Sequence, residues 1–171
     1  MFYMAPMFRY ERPQAGRFRQ HHQFGCEAIG DQSPKVDAEI IELGWNYIAD
    51  LGIKNVTLRL NSLGDPEGRD AYLKDLEQYF RGVADQLPKL DRARLDRAPL
   101  RVLDSKARET QALADAAPKS VDYIQGEAKE HWDELLSLLD NLKEVYPNFS
   151  YKVDHRLVRG LDYYNRTVFE Y

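Results

Sequence analysis

Only one cysteine, Cys26, stands in the 171 residues, which excludes an intrachain disulfide framework and a zinc site built on several cysteines. No apolar run approaches the roughly 18 residues of a membrane span, and the first residues do not read as a signal peptide. A cytoplasmic location is therefore expected. There is no GxxxxGK(S/T) phosphate loop and no GxGxxG turn. The four histidines, His21, His22, His131 and His155, offer no chelating spacing, since an adjacent pair grips one ion poorly, so no resident metal is expected. A formal net charge of −4 argues against a general nucleic-acid coat protein.

The chain is 43% apolar and 30% charged, enough to build a core of ordinary size, either one domain or one domain carrying an insertion. Charge is uneven along it. Residues 1–25 are net +3, residues 26–64 net −3, residues 65–146 net −5 and residues 147–171 net +1. Arginine is thus concentrated towards both ends, as if two anion-facing segments were interrupted by a separate module.

Periodicity gives the organisation. Two strand-like stretches flank Pro13-Gln14-Ala15-Gly16 and predict an antiparallel hairpin, with Arg12 and Arg17 at the shoulders of its loop. Ser33-Pro34 is a helix start, Val36, Ile40, Leu43, Tyr47, Ile48 and Leu51 recur at helical spacing, and Gly52 ends the run. Val56, Leu58 and Leu60 then alternate with polar residues as a half-buried strand ending at Asn61. From Asp65-Pro66 the texture is helical: one helix around Tyr72–Val83, a short Arg-rich stretch, an Ala-rich helix over 106–117, and a long helix marked by Ala128, Trp132, Leu135, Leu139 and Leu142. Strand patterning resumes at Phe149. The expected fold is α+β, an antiparallel sheet with a helical insertion, divided as 1–64, 65–147 and 148–171, with the first and last segments sharing a sheet. His131 reads as plain helix surface and Cys26 as a small buried hydrophobe.

Two constellations carry chemistry. On the hairpin, Arg9 and Glu11 fall on one face by strand alternation, and with Arg12, Arg17 and Arg19 they could meet an anion beside a hydrogen-bond donor, as a nucleotide offers; a solvated edge of surface ion pairs is the alternative. Near the far end, Arg159-Gly160 lets backbone approach a ligand while a guanidinium points at it, and Tyr163 and Tyr164 supply amphipathic walls; an Arg–Asp surface pair with packed tyrosines is again the alternative.

Pro6-Met7-Phe8-Arg9-Tyr10-Glu11-Arg12-Pro13-Gln14, Gly16-Arg17-Phe18-Arg19-Gln20 and His22-Gln23-Phe24-Gly25-Cys26-Glu27 together resemble motif 2 of the class II aminoacyl-tRNA synthetases, in the form found in histidyl-tRNA synthetases. Arg156 to Tyr164, continued by Asn165-Arg166-Thr167-Val168-Phe169-Glu170, is similar to a histidine-specific signature of that family. The resemblance implies activation of histidine with ATP and Mg²⁺, then transfer to the 3′ end of a tRNA held by its acceptor arm, in a cytoplasmic homodimer without membrane contact. It would make Arg9 and Arg159 the catalytic pair at the α-phosphate. Arg9, Glu11 and Arg17 would bind ATP, Glu11 at the adenine amino group and Arg17 at the pyrophosphate end or the acceptor strand. Gln23, Glu27, Arg159, Tyr163 and Tyr164 would bind histidine, with Glu27 and Tyr164 bracketing the imidazole across the sheet. His21 departs from the pattern, where a bulkier apolar residue is expected.

Motif 1, an upstream acidic/Thr element, the motif 3 arginine and an anticodon-binding domain find no match, so the chain is expected to be a catalytic-domain fragment, inactive alone. The alternative is a synthetase-like regulatory subunit that senses histidine without charging tRNA. Residues 89–108, net +4 within an acidic stretch, are expected either to touch acceptor-arm phosphates or to form a solvated face.

Overall fold

The structure, a computed structural model, describes residues 1–159 and 164–171. Strands β1 (Phe2–Phe8) and β2 (Gln20–Cys26) form the expected antiparallel hairpin, with Phe2 opposite Cys26 and Phe8 opposite Gln20. The ladder runs on through the Arg9 amide to the Arg19 carbonyl at 2.8 Å, and two hydrogen bonds between Gln14 and Arg17 close the tip. Gly16 sits there at φ 73°, a conformation a side chain would resist. Helix α1 (Pro34–Asp50) starts on the Ser33-Pro34 signal and ends where Gly52 turns at φ 73°. Its inner stripe is Ala38, Ile41 and Trp45. The hairpin leans on the other side of the same helix, through Phe24 stacked on Tyr47 with ring centroids 5.2 Å apart.

Strand β3 (Leu58–Ser62) is the centre of a second sheet, with β4 (Tyr151–Val153) parallel on one side and β5 (Thr167–Glu170) antiparallel on the other. The hairpin therefore does not share a sheet with the last segment, as the strand pattern had suggested. Both edges of β3 are taken, and β4 arrives parallel because a long helical crossover separates it from β3.

Helices α2 (Pro66–Gly82), α3 (Lys89–Leu95), α4 (Leu100–Leu103), α5 (Arg108–Asp115) and α6 (Gly126–Val145) fill the stretch between. They contribute to two cores. Helix α6 lays Trp132, Leu135 and Leu139 against Ile41, Trp45, Leu58, Leu60 and Phe149, where Trp45 meets Phe149 edge-on at 5.0 Å. Helices α2 to α5 gather around Tyr72, Leu76, Phe80, Leu95, Val102, Leu103 and Ala114. The buried Asp91 carboxylate knits that second group together, accepting from Ser105 at 2.5 Å, Thr110 at 2.6 Å and Arg94 at 2.8 Å.

His131 is not surface: it is 7% exposed, with Nε2 3.4 Å from the Asp37 carboxylate of α1. Positions 128, 131 and 135 follow helical spacing, so the stripe that faces α1 is wide enough to take the imidazole with Ala128 and Leu135. Cys26 is half-buried against the hairpin's α1 side.

At the end of the last strand, Tyr171 lies over Gly44, where a Cβ would come within 2.9 Å of its ring, and its hydroxyl donates to the Ile41 carbonyl. That close approach accounts for a glycine inside α1. Burial pushes the Tyr171 phenol well above its ordinary value.

Candidate active site

Cross-strand partners share a face of an antiparallel pair, so the register puts Arg9, Arg19, His21, Gln23 and Tyr3 on one face of the hairpin. Phe2, Met4, Phe24 and Cys26 occupy the other, towards α1. On the polar face, Arg9 Nη2 lies 3.0 and 3.1 Å from the two ring nitrogens of His21, one of which can accept its proton. Gln23 Nε2 donates to the Tyr3 hydroxyl at 2.6 Å, and the Tyr3 ring occupies the space that a side chain at Gly25 would need. The departure noted at His21 thus supplies Arg9 with a displaceable ring partner. At the tip, Glu11 and Arg17 pair at 3.2 Å, both more than half exposed, and Arg19 Nε reaches the Glu11 carbonyl at 3.3 Å. Glu27 follows the end of β2, exposed. Its amide donates to the Met1 carbonyl at 2.9 Å, and it borders a groove of about 560 Å³ shared with Glu39, Ile40 and Leu43.

Arg159 follows β4 in the loop that returns to the other sheet and reaches β5 through its side chain. Its guanidinium donates to the Glu170 carboxylate at 2.5 Å and to the Phe169 carbonyl at 3.0 Å. Glu170 is the cross-strand neighbour of Arg59, which pairs with the buried Asp154 at 2.6 Å. Arg156 and Lys152 lie within 3.9 and 3.8 Å of the same Asp154 carboxylate, so this face of the sheet is a compact field of alternating charge. Burial works to raise the Asp154 pKa, but the hydrogen bonds from Arg59 and the Arg156 amide, with the charges of Arg59 and Lys152, outweigh it and hold the carboxyl below its ordinary 3.8. A carboxyl whose folded value is depressed adds stability above its unfolded value, and that stability is lost as pH falls through the folded one. Urea unfolding at pH 7 and pH 3 should therefore show a smaller acid loss in Asp154→Asn than in the parent sequence. Equal losses would show that Asp154 contributes nothing to the acid limb.

Tyr164 is exposed and its carbonyl accepts from Arg69 Nη1 at 3.0 Å. Tyr163 lies outside the described residues. Among the described residues the structure sets Arg9 and Gln23 on one face of the hairpin without pairing them, and brings together Glu11 with Arg17. It holds Arg159 beside β5 of the other sheet and the Tyr164 carbonyl on Arg69 of α2. The hairpin and that sheet rest on the same helix, α1, the hairpin through Tyr47 and the sheet through Gly44 and Trp45. In the basic stretch, Arg94 is spoken for by buried Asp91, and Arg92 lies 3.7 Å from Asp85. Lys89, Arg97, Arg101, Lys106 and Arg108 are exposed.

Three side chains had no prominent signal in the sequence: His21 as the partner of Arg9, Glu170 as the partner of Arg159, and Asn61. Asn61 is fully buried at the end of β3. The one available hint was a polar Asn61-Ser62 closing an apolar strand.

The family model described as histidyl-tRNA synthetase matches residues 1–171, the whole chain. The chain belongs to the histidyl-tRNA synthetase family. It is 47% identical over 171 residues to the histidine–tRNA ligase of Streptococcus agalactiae serotype III (strain NEM316), covering 100% of this chain and 39% of that one. The histidine–tRNA ligase of Acholeplasma laidlawii (strain PG-8A) is 47% identical over 170 residues, with 99% and 39% covered. This histidyl-tRNA synthetase family chain thus spans 39% of the length of those relatives. Among solved structures, apo Staphylococcus aureus histidyl-tRNA synthetase matches with a TM-score of 0.67 at 34% identity, covering 99% of this chain and 37% of that one. An ATP phosphoribosyltransferase regulatory subunit/histidyl-tRNA synthetase from Bacillus halodurans shares the fold at a TM-score of 0.56 and 20% identity, covering 99% and 46%.

Proposed function

We propose that this chain is the catalytic-domain part of a histidine–tRNA ligase, which joins histidine to ATP as histidyl-adenylate and passes it to the 3′ end of its tRNA. The observation that carries the reading is the match along the whole chain at 47% identity to proteins of that name. The geometry is compatible with it. Histidine's carboxylate oxygen forms a bond to the α-phosphorus while the bond to the bridging oxygen breaks and pyrophosphate leaves with the Mg²⁺ of the substrate complex. Charge gathers on the phosphate oxygens during that step, and guanidinium donors already in place stabilise it.

Arg9 and Arg159 fill that role in this reading, each leaving a displaceable partner, the His21 ring and the Glu170 carboxylate. Glu11 and Arg17 separate to meet the adenine amino group and the pyrophosphate end. Gln23 orients the histidine main-chain groups. A neutral imidazole carries one N–H donor and one bare nitrogen. Glu27 accepts from the first and the Tyr164 hydroxyl donates to the second, with Tyr163 alongside. The exposed Arg97, Arg101 and Arg108 are suited to phosphates of the tRNA acceptor arm. A homodimer working in the cytoplasm completes the reading.

ATP–pyrophosphate exchange in the full-length protein tests it. Exchange should depend on histidine and fail with the other amino acids, and residues 1–171 alone should give background. Histidine binding without any exchange by the full-length protein would favour the histidine-sensing regulatory subunit, and neither binding nor exchange would end both readings.

A further inference from the structure

The turn that leads from β4 to Arg159 is gripped from two sides. On one side, His155 Nε2 lies 2.9 Å from the Ala114 carbonyl at the end of α5, and Arg156 Nη1 lies 3.4 Å from the Asp115 carboxylate. Val158 packs onto the core of α2 to α5. On the other side is Asn61. Its Nδ2 donates to the Leu157 carbonyl at 3.1 Å and lies 3.5 Å from the His155 carbonyl, while its Oδ1 accepts from the Ser62 amide at 2.9 Å and lies 3.2 Å from Ser120 Oγ. Ser120 comes from the same helical stretch as α5, and it also donates to the Ser62 carbonyl at 2.5 Å. Every residue from His155 to Val158 thus touches either the helical stretch or a side chain bonded to it. Arg159 is the next residue, and its guanidinium is held by the Phe169 carbonyl and the Glu170 carboxylate.

From this arrangement we infer that His155 is a positioning residue: its hydrogen bond to the end of α5 sets the turn that aims Arg159, so that activation depends on α2 to α5 being seated on the sheet. The inference rests on the proposed role of Arg159 at the α-phosphate. The contact belongs to the turn and not to the reacting atoms, so its loss misplaces a donor needed in the transition state and leaves ground-state binding almost unchanged. A small misplacement of that kind, made away from the chemistry, reaches up to about a hundredfold in rate.

The test compares full-length His155→Ala, His155→Asn and His155→Gln by ATP–pyrophosphate exchange with histidine, alongside thermal unfolding. Glutamine carries an amide Nε2 that reaches the Ala114 carbonyl, whereas asparagine is too short. His155→Ala and His155→Asn should lower kcat about tenfold, with KM for histidine and ATP within about twofold and the unfolding temperature nearly unchanged. His155→Gln should return kcat to within about threefold of the unsubstituted protein. Unchanged kcat in both short variants, or an equal loss in all three, overturns the proposal, and so does a loss that tracks unfolding. If His155→Ala fails to fold, His155→Asn against His155→Gln carries the same decision. Absence of exchange in the unsubstituted protein removes the functional reading and this inference with it, whereas robust exchange with unaffected variants removes this inference alone.

Discussion

Replacing Arg159 with alanine in the full-length protein should lower histidine-dependent pyrophosphate exchange by about two to three orders of magnitude, with almost no change in unfolding temperature. The two halves of that expectation have separate causes. In the resting chain Arg159 makes a partly exposed ion pair with Glu170 and one bond to a carbonyl, contacts that add little to stability. In the proposed adenylate formation the same guanidinium would face charge that exists only in the transition state, where one preplaced donor accounts for about 3–4 kcal/mol of the barrier. Arg159→Lys should recover little of the loss, since an ammonium cannot present two parallel donors to a phosphate. The kcat for exchange decides the matter: a fall of less than about fivefold in Arg159→Ala would remove Arg159 from the proposed catalytic pair.

The second large effect is on folding. Phe80 is fully buried among α2 to α5, in edge contact with Tyr79 at 5.3 Å, and truncation to alanine should cost about 3–5 kcal/mol. The loss should fall on one core only. Both tryptophans, Trp45 and Trp132, lie in the other core, with α1, α6 and β3. In Phe80→Ala, therefore, part of the helical circular dichroism should melt early while tryptophan fluorescence keeps its original midpoint. Coincident transitions by the two probes would show instead that the cores unfold as one.

Much of the local structure is legible from residues near in sequence. Ser33-Pro34 and Gly52 bracket α1 because they act on the backbone beside them, and Gly16 permits the hairpin turn for the same reason. The motif residues could likewise be named, since each is carried by a short contiguous pattern. What escaped were facts of register and packing between distant segments. Nothing in Leu58–Ser62 states that Tyr151–Val153 lies parallel to it, and the hairpin's separation from that sheet follows from which edges are occupied. His131 reads as surface because one polar residue beside Trp132 looks the same whether its face meets water or Asp37. Partners such as His21 for Arg9 and Glu170 for Arg159 become visible only once cross-strand neighbours are known.

Strand β3 has a kinetic consequence. Both of its partners lie roughly 90 or more residues downstream, and closing a flexible loop of that length opposes pairing by about 4 kcal/mol. A coil would meet that barrier in full. The stretch between is instead a set of helices with its own local contacts, which can form first and bring Ser62 and Tyr151 near each other before any sheet bond exists. Refolding should then be ordered, with the second core early and the closing of β4 and β5 onto β3 late. The helices that separate β3 from β4 and β5 in sequence are then what unites them in time.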